Sequence, residues 1–196
     1  KVDGIFMGAI PERGDHTDAL LSRGNKTLDQ LPMGASVGTS SLRRRAQLLH
    51  HRPDLNILDI RGNVPTRIEK LLADDSQYDA IVLASAGLQR LNLDQHITEL
   101  LTAPLMINAP AQGALGIQCR EEPDSMSFFA PLMHLQTWLA VTAERSFLKT
   151  LGGGCSLPVS AYAYIDKSVL HLISRVSSVD GTKQIDIENK VGLIRE

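Results

Sequence analysis

Between residues 36 and 84 the apolar positions switch repeatedly between two periods, and the alternation predicts strand, helix, strand, helix, strand. Ser36-Val-Gly-Thr39 reads as a short strand. Ser40 or Ser41 then offers a side-chain oxygen to the unpaired amides of a helix start, and Leu42, Ala46 and Leu49 recur at helical spacing. His51-Arg-Pro53 ends that helix. Leu55 to Ile60 predicts a second strand, and Asn63 caps a second helix that has Pro65 in its first turn and Ile68, Leu71 and Leu72 on its apolar face. Asp79 to Ala84 is almost continuously apolar, the composition of a strand buried on both faces of a parallel sheet.

The flanks are patterned differently. Gly4 to Ile10 predicts a short extended piece broken by Pro11, Gly14-Asp-His-Thr17 a loop, and Leu28 to Met33 the approach to a turn. Residues 91–110 carry a helical stretch and a proline-marked return, after which Gln112 to Arg120 reads as a strand free to join a different sheet. Thr137 to Leu151 predicts a helix ended by Gly152-Gly-Gly154. The remainder has the pattern of antiparallel hairpins. Val159 to Tyr164 and Val169 to Val176 flank an Ile-Asp-Lys-Ser turn, and Asp180-Gly181 precedes a strand from Lys183 to Glu188. There is no internal repeat.

Composition narrows the function classes. With 196 residues the chain can form one large domain or two small ones, and 43% hydrophobic with 21% charged residues is ordinary for a soluble globular protein. A net charge of -2 argues against general attraction to nucleic acid or to a membrane surface, and the apolar runs are far too short to span a bilayer. Two cysteines make no disulfide framework and no Cys/His cluster suggests zinc, so no metal is expected and the compartment is expected to be reducing, the cytoplasm. The chain opens at Lys1 without methionine and closes just after a run of strands, the pattern of an excised fragment. Less ordinary is the count of 13 arginines against 7 lysines, which favours bidentate recognition of carboxylate or phosphate.

Those arginines fall at telling places. In Gly38-Thr-Ser-Ser-Leu-Arg-Arg-Arg45 a strand ends, hydroxyls follow and a helix begins; first-turn amides accept anions, Thr39 and Ser41 add hydroxyls, and Arg43 and Arg44 add charged donors. A plain cap followed by a solvated basic turn is the other reading of the same residues. Arg61 follows the next strand, Arg67 sits in the helix that begins there, and Arg90 follows the third strand, so three successive strands deliver arginine toward the edge where an open α/β sheet binds ligands. No Gly-rich phosphate loop is present, and the implied ligand is a polyanion other than a nucleotide. Cys155, among glycines in Leu151-Gly-Gly-Gly-Cys-Ser-Leu-Pro158, has room around its sulfur for a large group, although a lone cysteine is commonly buried and inert; Cys119, in an apolar strand, fits that inert role.

Taken in order, Gly38-Thr-Ser-Ser-Leu-Arg-Arg44, Ile60-Arg-Gly-Asn63, Thr66-Arg67, Tyr78-Asp-Ala-Ile81, Ala86-Gly-Leu88, Gln112-Gly-Ala114, Thr142-Ala-Glu-Arg145 and Gly153-Gly-Cys155 resemble the successive signatures of the porphobilinogen deaminase (hydroxymethylbilane synthase) family, from about the first residue to the last. The resemblance implies a transferase that adds porphobilinogen units one at a time with loss of ammonia, on a dipyrromethane cofactor joined by a thioether to Cys155. Each pyrrole carries an acetate and a propionate, which matches the polyanion the arginines call for. By motif matching, Thr39, Ser41, Arg43, Arg44 and Arg61 hold the cofactor, and Arg67, Arg90, Gln112 and Gly113 the substrate. The implied fold is α/β: a periplasmic-binding-protein type II-like α/β domain plus a small α+β C-terminal domain with an antiparallel sheet. Residues 1–14 and 106–130 are then remnants of domain 1, residues 15–105 are domain 2, and residues 131–196 are a truncated domain 3. The family is mostly monomeric.

The chain departs from the family pattern in three respects. It lacks the His-Ser-x-Lys-Asp-x-Pro segment whose aspartate handles protons, so no catalytic residue is expected among these 196, and they are expected to be inactive alone, with Cys155 unmodified. The closing helix of domain 3 is also missing. Gly152 stands where an acidic residue is usual, and Pro110-Ala111 where Val-Gly is usual. Two rival readings remain: a non-catalytic polycarboxylate-binding module of periplasmic-binding-protein type, and a cysteine acyltransferase, which lacks an evident histidine partner.

Overall fold

The computed structural model describes residues 3–152 and 157–193. β1 (Ile5–Ala9) and β2 (Asp18–Ser22) precede an alternating run of β3 (Ser36–Gly38), α1 (Leu42–His51), β4 (Asn56–Leu58), α2 (Val64–Leu72), β5 (Ala80–Ala84) and α3 (Ser85–Arg90). β6 (Glu99–Leu101), β7 (Ile117–Arg120) and the short α4 (Pro123–Phe129) follow, then the long α5 (Leu135–Thr150) and the strands β8 (Val159–Asp166), β9 (Val169–Ser177) and β10 (Gln184–Gly192). No helix among the described residues is long and apolar enough to cross a membrane.

The strands form three sheets. A five-stranded sheet has the order β4-β3-β5-β2-β6, with β3 parallel to both β4 and β5, and β2 antiparallel to β5 and β6. All of β5 from Ala80 to Leu83 is buried, as its unbroken apolar run requires, because side chains of successive residues enter opposite layers. Leu20, Val37, Ala80 and Val82 pack with Leu48 of α1 and with Leu101 on one side, while Ala19, Leu21, Ile81 and Leu83 pack with Ile68, Leu71 and Leu88 on the other. Leu72, expected on the apolar face of α2, is exposed instead; the buried stripe of that short helix is only wide enough for Ile68 and Leu71.

β2 is the principal departure from the sequence pattern. Nothing in Asp18-Ala-Leu-Leu-Ser22 announces a strand, yet it lies between β5 and β6 inside the sheet. Since β2 runs against β5, its first residue, Asp18, pairs with Ala84, the last residue of β5. The amino end of β2 therefore lies at the edge where the parallel strands end.

β1 and β7 form a separate antiparallel pair, but the strand expected from Gln112 begins only at Ile117, because residues 112–113 are held in a turn that closes on residues 14–15, and Cys119 is half-buried beside Gly8. β10, β9 and β8 form the antiparallel C-terminal sheet, against which α5 lies. Its β9–β10 turn is pressed onto α1: Gly181 has φ +73°, and a Cβ there would stand 2.6 Å from the Ala46 carbonyl oxygen. Arg175 of β9 donates to Gln47 Oε1 on α1 (2.9 Å) and makes a two-point ion pair with Asp186 on β10. The C-terminal sheet is thereby fixed to the helix that follows β3.

Candidate functional site

Gly38 ends β3, and the chain turns at once into α1. Ser41 caps the helix by accepting from the Arg44 amide, and the Thr39 hydroxyl accepts from the Ser41 amide. Thr39 is buried, Ser41 half-buried and Ser40 exposed, its hydroxyl donating to the Ile60 carbonyl oxygen (2.9 Å). That bond ties the end of β3 to the chain leaving β4. Beyond it Asn63 caps α2 by accepting from the Thr66 amide, as the sequence predicts.

Arg43 and Arg44 point inward, and the solvated basic turn that the same residues could have formed is not what the fold makes of them. Arg43 Nη1 donates to Asp18 Oδ2 (2.6 Å) and to the Ile107 carbonyl oxygen (2.8 Å). Arg44 reaches Asp18 Oδ1 through Nε (3.0 Å) and Nη2 (2.7 Å), and its Nη1 donates to the Val82 carbonyl oxygen. Gln112 completes the cluster: its amide nitrogen donates to Asp18 Oδ1 and to the carbonyl oxygens of His16 and Thr17, and its Oε1 accepts from Arg43 at 3.3 Å. Burial pushes the Asp18 carboxyl up, but the two adjacent guanidiniums more than reverse this and hold it below the ordinary carboxylate value. Burial likewise pulls Arg43 below the usual arginine value, with Asp18 opposing. Among the described residues Arg43 Nε is buried without an acceptor.

The other expected donors lie further out. Arg61 is exposed, and neither its guanidinium nor that of Arg90 has a side-chain partner among the described residues. Arg67 is half-buried, its Nε donating to the Gly62 carbonyl oxygen. Arg90 is not in a loop directly after β5: α3 intervenes, and Arg90 ends it, on the surface. The edge that gathers Thr39, Ser41, Arg43, Arg44 and Gln112 thus has Arg61 and Arg67 beside it and Arg90 a helix away. Gly113 has φ +83°, and a Cβ there would meet the Asp15 carbonyl oxygen at 2.5 Å, so the loop closes on residues 14–15 only with glycine. Ala111, at the position of the unusual Pro110-Ala111 pair, also takes a left-handed conformation, φ +64°. Cys155 lies outside the described residues.

Three groups had no role assigned from the sequence, Glu144 entering only as part of the Thr142-Ala-Glu-Arg145 signature. Asp18 was hidden in a stretch whose strand is too short to show a period. Glu144 of α5, fully buried, accepts from both ends of the Arg13 guanidinium (2.6 and 3.1 Å) and from the Ala111 and Ala163 amides. His16 stacks on Tyr162 of β8 with ring centroids 4.0 Å apart, and burial with the nearby Arg13 lowers its pKa. These two rings, with Ile107, Asn108 and Ile173, border a cavity of about 230 Å³. A wider groove, about 620 Å³ between β1 and α5, receives none of the expected ligand-binding residues. No group of metal-ligating side chains occurs among the described residues.

Comparison with known proteins gives two family matches: residues 1–127 match the family described as "Porphobilinogen deaminase, dipyromethane cofactor binding domain", and residues 138–194 match "Porphobilinogen deaminase, C-terminal domain". A porphobilinogen deaminase of Syntrophotalea carbinolica is 47% identical over 91% of this chain and 56% of its own length. One of Shouchella clausii is 47% identical over all of this chain and 63% of its own length. The chain thus spans about three fifths of the length of these relatives. Among solved structures, a putative methionine-binding lipoprotein of Bacillus subtilis aligns over 78% of this chain and 68% of its own, with a TM-score of 0.43 and 11% identity.

Proposed function

The chain belongs to the porphobilinogen deaminase family, and we propose that it serves that family's chemistry: a transferase that joins porphobilinogen units into the linear tetrapyrrole hydroxymethylbilane, with release of ammonia. The observation that carries the reading is the single sheet edge at which β3 ends and β2 begins, where Arg43, Arg44, Gln112, the capping Ser41 and Thr39 converge. A ligand whose every pyrrole bears two carboxylates needs such donors, and buried charge-assisted bonds discriminate between anions more sharply than solvated ones.

The residues present fit a dipyrromethane that brings carboxylates: Arg43 Nε is a buried donor without an acceptor among the described residues, and the exposed Arg61 guanidinium has no side-chain partner among them either. When bound, the dipyrromethane supplies the terminal pyrrole to which each unit is joined. Cys155 would hold it by a thioether, and Thr39, Ser41, Arg43, Arg44 and Arg61 would hold its carboxylates. Arg67, Arg90, Gln112 and Gly113 would orient the incoming porphobilinogen. In this reading residues 15–105 form the arginine-bearing domain and residues 131–196 the cysteine-bearing one, in a cytoplasmic monomer; the low cysteine content supports a reducing compartment.

The test is Cys155→Ser in the protein expressed from its own gene. Intact mass should lose the covalent dipyrromethane and porphobilinogen consumption should cease. A wild-type protein that never carries a pyrrole adduct, yet binds polycarboxylates equally with and without Cys155, would instead establish the non-catalytic module.

A further inference from the structure

Asp18 belongs to none of the residues that motif matching assigns to a ligand, yet it decides the charge of the anion site. Its side chain is fully buried, and its two oxygens are taken by Arg43 on one side and Arg44 on the other. Two guanidiniums and one carboxylate leave a single net positive charge inside the cluster. Without the carboxylate, two buried cations would face one another and each would demand an anion from outside. The alignment that puts Asp18 there is a property of the sheet: β2 runs antiparallel to β5, so its first residue reaches the edge where β3 hands over to α1. Gln112 braces the arrangement from the returning chain, donating to Asp18 and accepting from Arg43.

We propose that Asp18 sets the affinity of the anion site: it neutralises one guanidinium of the pair, so that the pair takes one ligand carboxylate and can release it again. A lengthening polycarboxylate has to shift across its binding site at each addition, and a doubly charged buried pair would hold it too firmly. The identity of that ligand rests on the function proposed above; the charge balance does not. The depressed pKa of Asp18 keeps its carboxylate ionised at neutral pH, so the balance persists under working conditions.

Citrate, a small tricarboxylate, serves as the probe, titrated calorimetrically into the 196-residue chain at fixed ionic strength. Four proteins form a charge series: Arg44→Met with net charge zero at the cluster, wild type and Asp18→Asn/Arg44→Met with one, and Asp18→Asn with two. Citrate affinity is expected to rise on the order of tenfold per added charge, with wild type and the double variant alike. If Asp18→Asn does not fold, Arg44→Met against the double variant contains the same single-charge step. Equal affinity across the series overturns the proposal, as does a double variant binding no tighter than Arg44→Met. A series that follows the charge, in a protein whose native form never consumes porphobilinogen, would leave Asp18's role standing and remove the proposed reaction.

Discussion

Removal of Glu144 should be among the most damaging single changes in this fold, and the structure allows its size to be worked out. The carboxylate is fully enclosed and meets donors from three other segments: Arg13, Ala111 and Ala163. In Glu144→Ala the two backbone amides, bonded at 2.6 and 2.7 Å, lose their acceptor at a cost of about 1–3 kcal/mol each. Arg13, whose side chain is only 10% exposed, is left as an uncompensated cation, a loss of about 3–5 kcal/mol. These contributions overlap, and a total of about 5 kcal/mol is expected, comparable to the whole stability of many domains. Arg13→Met should cost somewhat less, about 3–4 kcal/mol: Glu144 keeps both amide donors, but its fully buried carboxylate loses its counter-charge. Urea unfolding followed by circular dichroism at pH 7 measures both, with the slopes compared to confirm a common transition. A Glu144→Ala loss below about 1.5 kcal/mol, or an Arg13→Met loss larger than that of Glu144→Ala, would refute the view that one carboxylate joins α5, β8, residue 13 and the turn at residue 111.

Stability should also rise between pH 5 and pH 7 through His16. Its folded pKa lies below the ordinary 6.5, so the unfolded chain binds more protons in that window and acid favours unfolding. His16→Phe, which preserves the stack on Tyr162, should flatten this slope in urea midpoints taken at the two pH values; an unchanged slope would assign it to other groups. The two left-handed residues flanking Gln112 should respond in opposite directions. Gly113→Ala, whose Cβ would strike the Asp15 carbonyl oxygen, is expected to cost more than about 2 kcal/mol. Ala111→Gly relieves a φ of +64° and should be neutral or stabilising by up to about 1 kcal/mol, read as shifts of the same midpoint.

What the sequence by itself determined is what depends on neighbours a few positions away. Ser41, one of the two serines offered, and Asn63 cap their helices as expected, β5 follows from its unbroken apolar run, and the β8–β9 turn falls at Lys167-Ser168, where both residues take positive φ. The placement of hydroxyls and arginines at the end of β3 was legible for the same reason, since a strand-to-helix junction is a local event. The inward direction of Arg43 and Arg44 was not. It required a carboxylate 25 residues upstream, on a strand too short to show a period, brought to the sheet edge by running antiparallel to β5. Glu144 and Arg13, 131 residues apart, and the stacked His16 and Tyr162 belong to the same class. A buried charge must be answered by whichever opposite charge the packing brings beside it, and that choice belongs to tertiary structure because the partners share no local pattern.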